Sequence, residues 1–167
     1  MRKNKKRNHQ KHPVPNHKYK DRLFRLVFNN KRDLLDLYNA LNNTCYENPN
    51  DLEVNTLEDA VYLSMKNDIS FLIGGTLNLY EHQSTYNPNM PLRGLIYLAR
   101  LYDGYVETKN INLYSSSLKK LPIPQYFVFY NGTKEQPDET ILQLTDAFES
   151  VSDNRQPCLQ CTAVMLN

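Results

Sequence analysis

The spacing of apolar positions changes along the chain, and each change marks an element. Leu34, Leu37, Tyr38 and Leu41 recur at helical spacing and Asn42-Asn43 supplies a stop, so residues 20–43 read as helical. Leu23, Phe24, Val27 and Phe28 form an apolar patch before that helix, a shorter helix or a turn. Asn48-Pro49-Asn50 is a turn. Residues 60–66, 67–73 and 76–84 are rich in Val, Ile, Leu, Tyr and Phe and read as strands. Gly74-Gly75, between the last two, predicts a two-residue hairpin turn, because glycine accepts positive φ. After the loop Tyr86-Asn87-Pro88-Asn89, Pro91 opens a helix over 91–107. Its predicted apolar face is Leu92, Leu95, Ile96, Ala99, Tyr102 and Val106. Residues 125–130 (QYFVFY) are almost continuously apolar, the pattern of a strand covered on both faces. Shorter strands are expected at 141–144 and 159–166. The order helix, strand meander, helix, buried strand predicts an α/β protein with a mixed sheet flanked by helices.

Charge divides the chain more sharply than its net value of +2 suggests. Residues 1–20 carry eight Lys or Arg and no acid, so the rest sets twelve basic residues against eighteen acids, a net charge of −6. Residues 1–19 therefore read as a basic, disordered tail and 20–167 as one domain, a length that buries a real core. The tail serves either as a solubilising leader or as a sequence-indifferent attraction to phosphate backbones. No apolar run approaches the roughly 18 to 20 residues of a bilayer span, and no apolar stretch follows the basic start as in a signal peptide. A cytoplasmic protein without membrane contact is the expectation. The sequence stops at Asn167 inside an apolar run, which suggests a C-terminally truncated domain. Cys158 and Cys161 form a lone C-x-x-C with Cys45 as the other thiol, and three of the four His lie in the tail. Free, reduced cysteines are expected rather than a zinc site.

The hairpin carries the candidate chemistry. With a two-residue turn at Gly74-Gly75, Ile73 pairs with Thr76 and Ile69 with Tyr80, so Asp68 falls opposite Glu81 and Lys66 opposite Gln83. Side chains alternate, which puts Lys66, Asp68, Ser70 and Leu72 on one face with Leu77, Leu79, Glu81 and Gln83. Directly opposed residues have Cβ atoms about 4.5–5.5 Å apart. Two carboxylates at that spacing repel, and a divalent cation between them turns the cost into a gain. Hard oxygen ligands with open positions suit Mg²⁺ or Mn²⁺, which keep waters and accept phosphate oxygens. Gln83 can orient a water or a phosphate, and Lys66 can offset developing charge. The bland alternative is a pair of solvent-facing strand charges neutralised by Lys66. A longer turn would also shift every pair.

Several segments together carry a resemblance. These are residues 66–73 (KNDISFLI), Tyr80-Glu81-His82-Gln83-Ser84 and Asn87-Pro88-Asn89-Met90-Pro91-Leu92-Arg93-Gly94. Weaker matches are Asp21-x-x-Phe24-Arg25, Leu37-Tyr38-Asn39-Ala40-Leu41, and Pro124-Gln125-Tyr126 through Tyr130-Asn131-Gly132. They resemble the PD-(D/E)XK nuclease family transposases, the bacterial recombination-promoting nuclease group, over residues 20–167. The resemblance implies a restriction-endonuclease-like core of order α-β-β-β-α-β. It also implies Mg²⁺-dependent hydrolysis of DNA phosphodiester bonds linked to transposition or recombination, with Asp68 and Glu81 as metal ligands. Gln83 stands where Lys is usual, and Gln supplies no positive charge. Many relatives add an acid from the first helix, for which Asp33 and Asp36 are both candidates.

Arg93, Tyr97 and Arg100 lie at i, i+4 and i+7 on the second helix, a ridge that reads either as a DNA-backbone contact or as a solvated face. His82 points away from Glu81 and reads as a packed residue. Two alternatives stand beside a DNA endonuclease. One is a catalytically inactive nuclease-fold module that binds nucleic acid or a protein. The other is the same chemistry on RNA.

Overall fold

The computed structural model describes residues 30–55, 68–149 and 156–167. The basic tail, the patch around Phe24, the expected strand at 60–66 and Lys66 lie outside the described residues. Helix α1 spans Lys31–Asn42, and α2 spans Met90–Thr108. The strands are β1 (Glu53–Asn55), β2 (Asp68–Ile73), β3 (Thr76–Gln83), β4 (Ile123–Tyr130), β5 (Glu139–Gln143) and β6 (Thr162–Leu166). Together they form an α/β structure whose mixed six-stranded sheet runs β1-β2-β3-β4-β6-β5. Pairs β1/β2, β2/β3 and β5/β6 are antiparallel, whereas β3/β4 and β4/β6 are parallel.

Local chemistry explains the element ends. The Asn30 side chain accepts a hydrogen bond of 2.9 Å from the Arg32 amide and starts α1. Asn43, at φ 52°, closes it with a left-handed cap, as the Asn-Asn stop predicts. Gly74 and Gly75 take φ values of 57° and 82°, the two positive angles of a type I′ turn. This turn sets the register of the hairpin. Pro91 sits in the first turn of α2, where its missing amide hydrogen leaves nothing unsatisfied.

The sheet is a central layer with one helix on each face. On one side, Leu34, Leu35 and Tyr38 of α1 pack with Leu52, Phe71, Ile73 and Tyr80. Tyr80 is the hub of that side, in edge-to-face contact with Phe71 at 5.0 Å and with Phe127 and Phe129 at 5.5 Å each. On the other side, Tyr97, Leu98 and Leu101 of α2 pack with Leu77, Leu79, Tyr126, Val128 and Met165. Both faces of β4 are thereby covered, as its apolar run predicts.

One expectation needs correction. The face of α2 turned to the sheet is Met90, Pro91, Gly94, Tyr97, Leu98 and Leu101. Of the face expected from the sequence, Leu92 and Ile96 are turned out, each 45% exposed, and Ala99 is exposed, whereas Leu95, Tyr102 and Val106 are half-buried at its edge. Apolar residues nearly encircle this helix, so periodicity leaves its rotation open. Gly94 decides it, because its missing side chain lets α2 settle on the ring of Tyr126, where an added Cβ would collide. The strand beside β2 is β1, three residues long with Val54 as its apolar member, too short a pattern to announce itself. Among the described residues no helix is long and apolar enough to cross a membrane.

Candidate functional site

The hairpin register matches the sequence prediction residue for residue: Asp68 faces Glu81, Ile69 faces Tyr80, and Ile73 faces Thr76. Asp68 opens β2 and Glu81 lies near the end of β3, so the two acids meet at the end of the hairpin away from its turn. Alternation puts both on the α2 face with Leu77 and Leu79. Asp68 is half-buried, Glu81 is fully buried, and Gln83, two residues on, is half-buried.

A buried carboxylate is costly unless hydrogen-bonded and paired, and three side chains answer that need. The Tyr126 hydroxyl donates to Glu81 Oε2 at 2.6 Å, bridging 45 residues of sequence. Gln83 Nε2 donates to Glu81 Oε1 at 2.6 Å. Arg93 Nη2 forms an ion pair with the same Oε1. Arg93 is itself braced, donating to the Tyr97 hydroxyl at 3.3 Å with its guanidinium carbon 5.7 Å from the Tyr97 ring centroid.

Electrostatics report the same cluster. Burial pushes the Tyr126 hydroxyl well above its ordinary range, and the Glu81 carboxylate raises it further, both by charge and by accepting its hydrogen bond. Arg93 pulls slightly the other way, and Asp68 adds to the rise. Tyr126 is thus a permanent proton donor that senses both acids. For Arg93, burial works against the charge, but Glu81 and Tyr97 outweigh it and the guanidinium pKa rises.

The remaining candidates separate. Asp33 and Asp36 are exposed on α1, which packs against the opposite face of the sheet, and Asp36 pairs with Arg32 at 3.4 Å. The structure does not bring them to the carboxylate pair. Lys66 lies outside the described residues. Tyr97 is buried at 7% exposure, and Arg93 turns inward to Glu81, so the expected ridge is not a free outer surface. Arg100, further along α2, is half-exposed. His82 is buried on the face opposite Glu81. The three cysteines are free, Cys161 half-buried just ahead of β6 and the other two exposed.

Sequence reasoning missed Tyr126 and the inward role of Arg93. Tyr126 sits on β4, and nothing short of the parallel β3/β4 pairing relates it to Glu81. The one available signal was the alternation Tyr126, Val128, Tyr130, which places a hydroxyl-bearing ring on each side of a small residue.

The donor set suits a hard divalent cation. Among the described residues no three His, Cys, Asp or Glu side chains converge, so an ion would rest on Asp68 and Glu81 and complete its shell with waters. Mg²⁺ is commonly held by one or two carboxylates plus waters, so this set fits it. Arg93 and such an ion would compete for Glu81 Oε1. Comparison of the chain with protein-family models, curated proteins and solved structures gave no match.

Proposed function

We propose that this protein is a metal-dependent phosphodiesterase acting on DNA, with a restriction-endonuclease-like core and its active site on the hairpin end of the sheet. The observation that supports it is the pairing of Asp68 with Glu81 across β2 and β3, with Gln83 on the same face. Two opposed acids inside a sheet are destabilising by themselves, and binding a divalent cation gives a reason for the arrangement. Asp68 and Glu81 would hold Mg²⁺ or Mn²⁺, which when bound polarises a phosphate and lowers the pKa of a coordinated water. Tyr126 holds Glu81 in one orientation through Oε2, and Gln83 donates to the adjacent Oε1. The resemblance to the recombination-promoting nucleases supplies DNA, transposition and recombination as the setting.

A second reading has its own observation. Arg93 already neutralises Glu81, and Gln83 stands where a charged residue is usual, as in a nuclease-fold module that binds nucleic acid without cutting it. Plasmid nicking with Mg²⁺ or Mn²⁺ separates the two, with single-stranded RNA assayed in parallel. The enzyme reading expects nicking by the native chain and its loss in Asp68→Asn and Glu81→Gln. Thermal melts of both variants, taken in parallel, separate a loss of nicking from a loss of fold. Undiminished nicking in both variants, or none by the native chain with any divalent ion, refutes catalysis at this site.

A further inference from the structure

Gln83 brings no positive charge to Glu81 from β3, yet a phosphodiester arriving there brings further negative charge. Among the described residues, α2 supplies a positive charge in direct contact with Glu81. Arg93 lies across the boundary between the buried carboxylate and solvent: its side chain is 36% exposed, whereas that of Glu81 is 1% exposed. Its bonds to Glu81 and to the Tyr97 hydroxyl both run through Nη2. Among the described residues, the Nε and Nη1 hydrogens take no hydrogen bond, although a guanidinium offers five donors in a planar fork. Contacts to the Glu81 carboxylate and to Tyr97 hold the guanidinium in place, so less side-chain freedom is left to lose when a ligand binds.

We propose that Arg93 is the phosphate-binding cation of this site: its outward Nε and Nη1 hydrogens take a phosphate oxygen of the nucleic acid. It thereby supplies from α2 the positive charge that Gln83 lacks on β3. This rests on the nucleic-acid reading of the hairpin, but not on catalysis. Glu81 has a double part, because it anchors the guanidinium that receives the substrate. The same geometry distinguishes Arg93 from an exposed helix lysine, whose phosphate contact would be loose and whose loss would leave Glu81 untouched.

The test uses metal-free binding of the full chain to a short fluorescein-labelled duplex, read by anisotropy across a salt series. Replacing Arg93 alone strands a buried carboxylate and risks the fold, so the comparison is Glu81→Gln against Glu81→Gln/Arg93→Gln. The basic tail is present in both and cancels. The single variant should bind at least as tightly as the native chain. The double variant should bind about tenfold more weakly, the effect of one charge-assisted hydrogen bond. Its salt slope should be shallower by about one phosphate contact. Equal affinity and slope in the two variants, or no binding by Glu81→Gln at all, overturns the proposal. A native chain that nicks DNA while the double variant binds like the single one removes Arg93's role and keeps the enzyme. A native chain that never nicks, with the tenfold loss intact, does the reverse.

Discussion

Replacing Tyr126 by Phe deletes one oxygen and tests whether the site is built around an ionised Glu81. The ring stays in place beneath Gly94, so the packing of α2 on the sheet is unchanged. What disappears is the 2.6 Å bond to Glu81 Oε2, between residues that are 3% and 0% exposed. Hydrogen bonds to charged groups contribute about 1.5–3 kcal/mol net. Gln83 and Arg93 still serve Oε1, which puts the expected loss near the lower part of that range, about 2 kcal/mol. For a chain of this length about 2–4 °C of melting temperature goes with each kcal/mol, so the midpoint should fall by roughly 4–8 °C. The assay is urea denaturation of the native chain, Tyr126→Phe, Glu81→Gln and the double variant. With Gln at position 81 the hydroxyl still meets a neutral acceptor worth about 1 kcal/mol, which leaves a coupling of about 1 kcal/mol for the charge. A Tyr126→Phe loss below about 0.5 kcal/mol, or an equal loss in both backgrounds, refutes the reasoning. The tyrosine would then be acting through packing alone.

Further outcomes follow from the packing and charge of the same molecule. Arg93→Gln should lower stability by about 2–3 kcal/mol, because a buried carboxylate loses its counter-charge while Arg93's own exposure moderates the cost. Mn²⁺ should then raise its melting temperature more than it raises that of the native chain, since ion and guanidinium compete for Oε1, and equal Mn²⁺ shifts would sink this competition. Gly94→Ala, ordinarily favourable in a helix by about 1 kcal/mol, should instead destabilise by about 2–3 kcal/mol as the methyl meets the Tyr126 ring; a gain in the urea midpoint would contradict the close approach. Tyr126 and Tyr80 are both raised well above the ordinary value of 10.0 by burial. The folded state therefore holds protons that the unfolded state releases above that pH, so stability is full below about pH 10 and falls as pH climbs further. Phenolate absorbance of these two should appear only with unfolding, and an earlier reversible titration of all twelve tyrosines would show they are not enclosed.

The hairpin was legible because its information is local. Two glycines dictate the turn, the turn dictates the register, and strand alternation dictates that Asp68, Glu81 and Gln83 share a face. The C-terminal stop of α1 and the start of α2 were legible for the same reason, since an Asn or a Pro acts within one turn of itself, whereas the Asn30 cap at the start of α1 was not. The rotation of α2 was not, because a helix apolar nearly all round has no preferred side until a neighbour is present. Nor did the sequence reveal that α1, and with it Asp33 and Asp36, covers the other face of the sheet.

By itself, then, the sequence determined that two carboxylates stand opposed at one end of a tight hairpin, because pairing across a two-residue turn leaves no freedom. What surrounds them was decided only by tertiary structure. Tyr126 reaches Glu81 through a parallel strand pairing, and Arg93 through a helix seated on a glycine. Those contacts join residues 45 and 12 positions apart through the packing of layers, and the energy of burying a charge selects them rather than any local propensity.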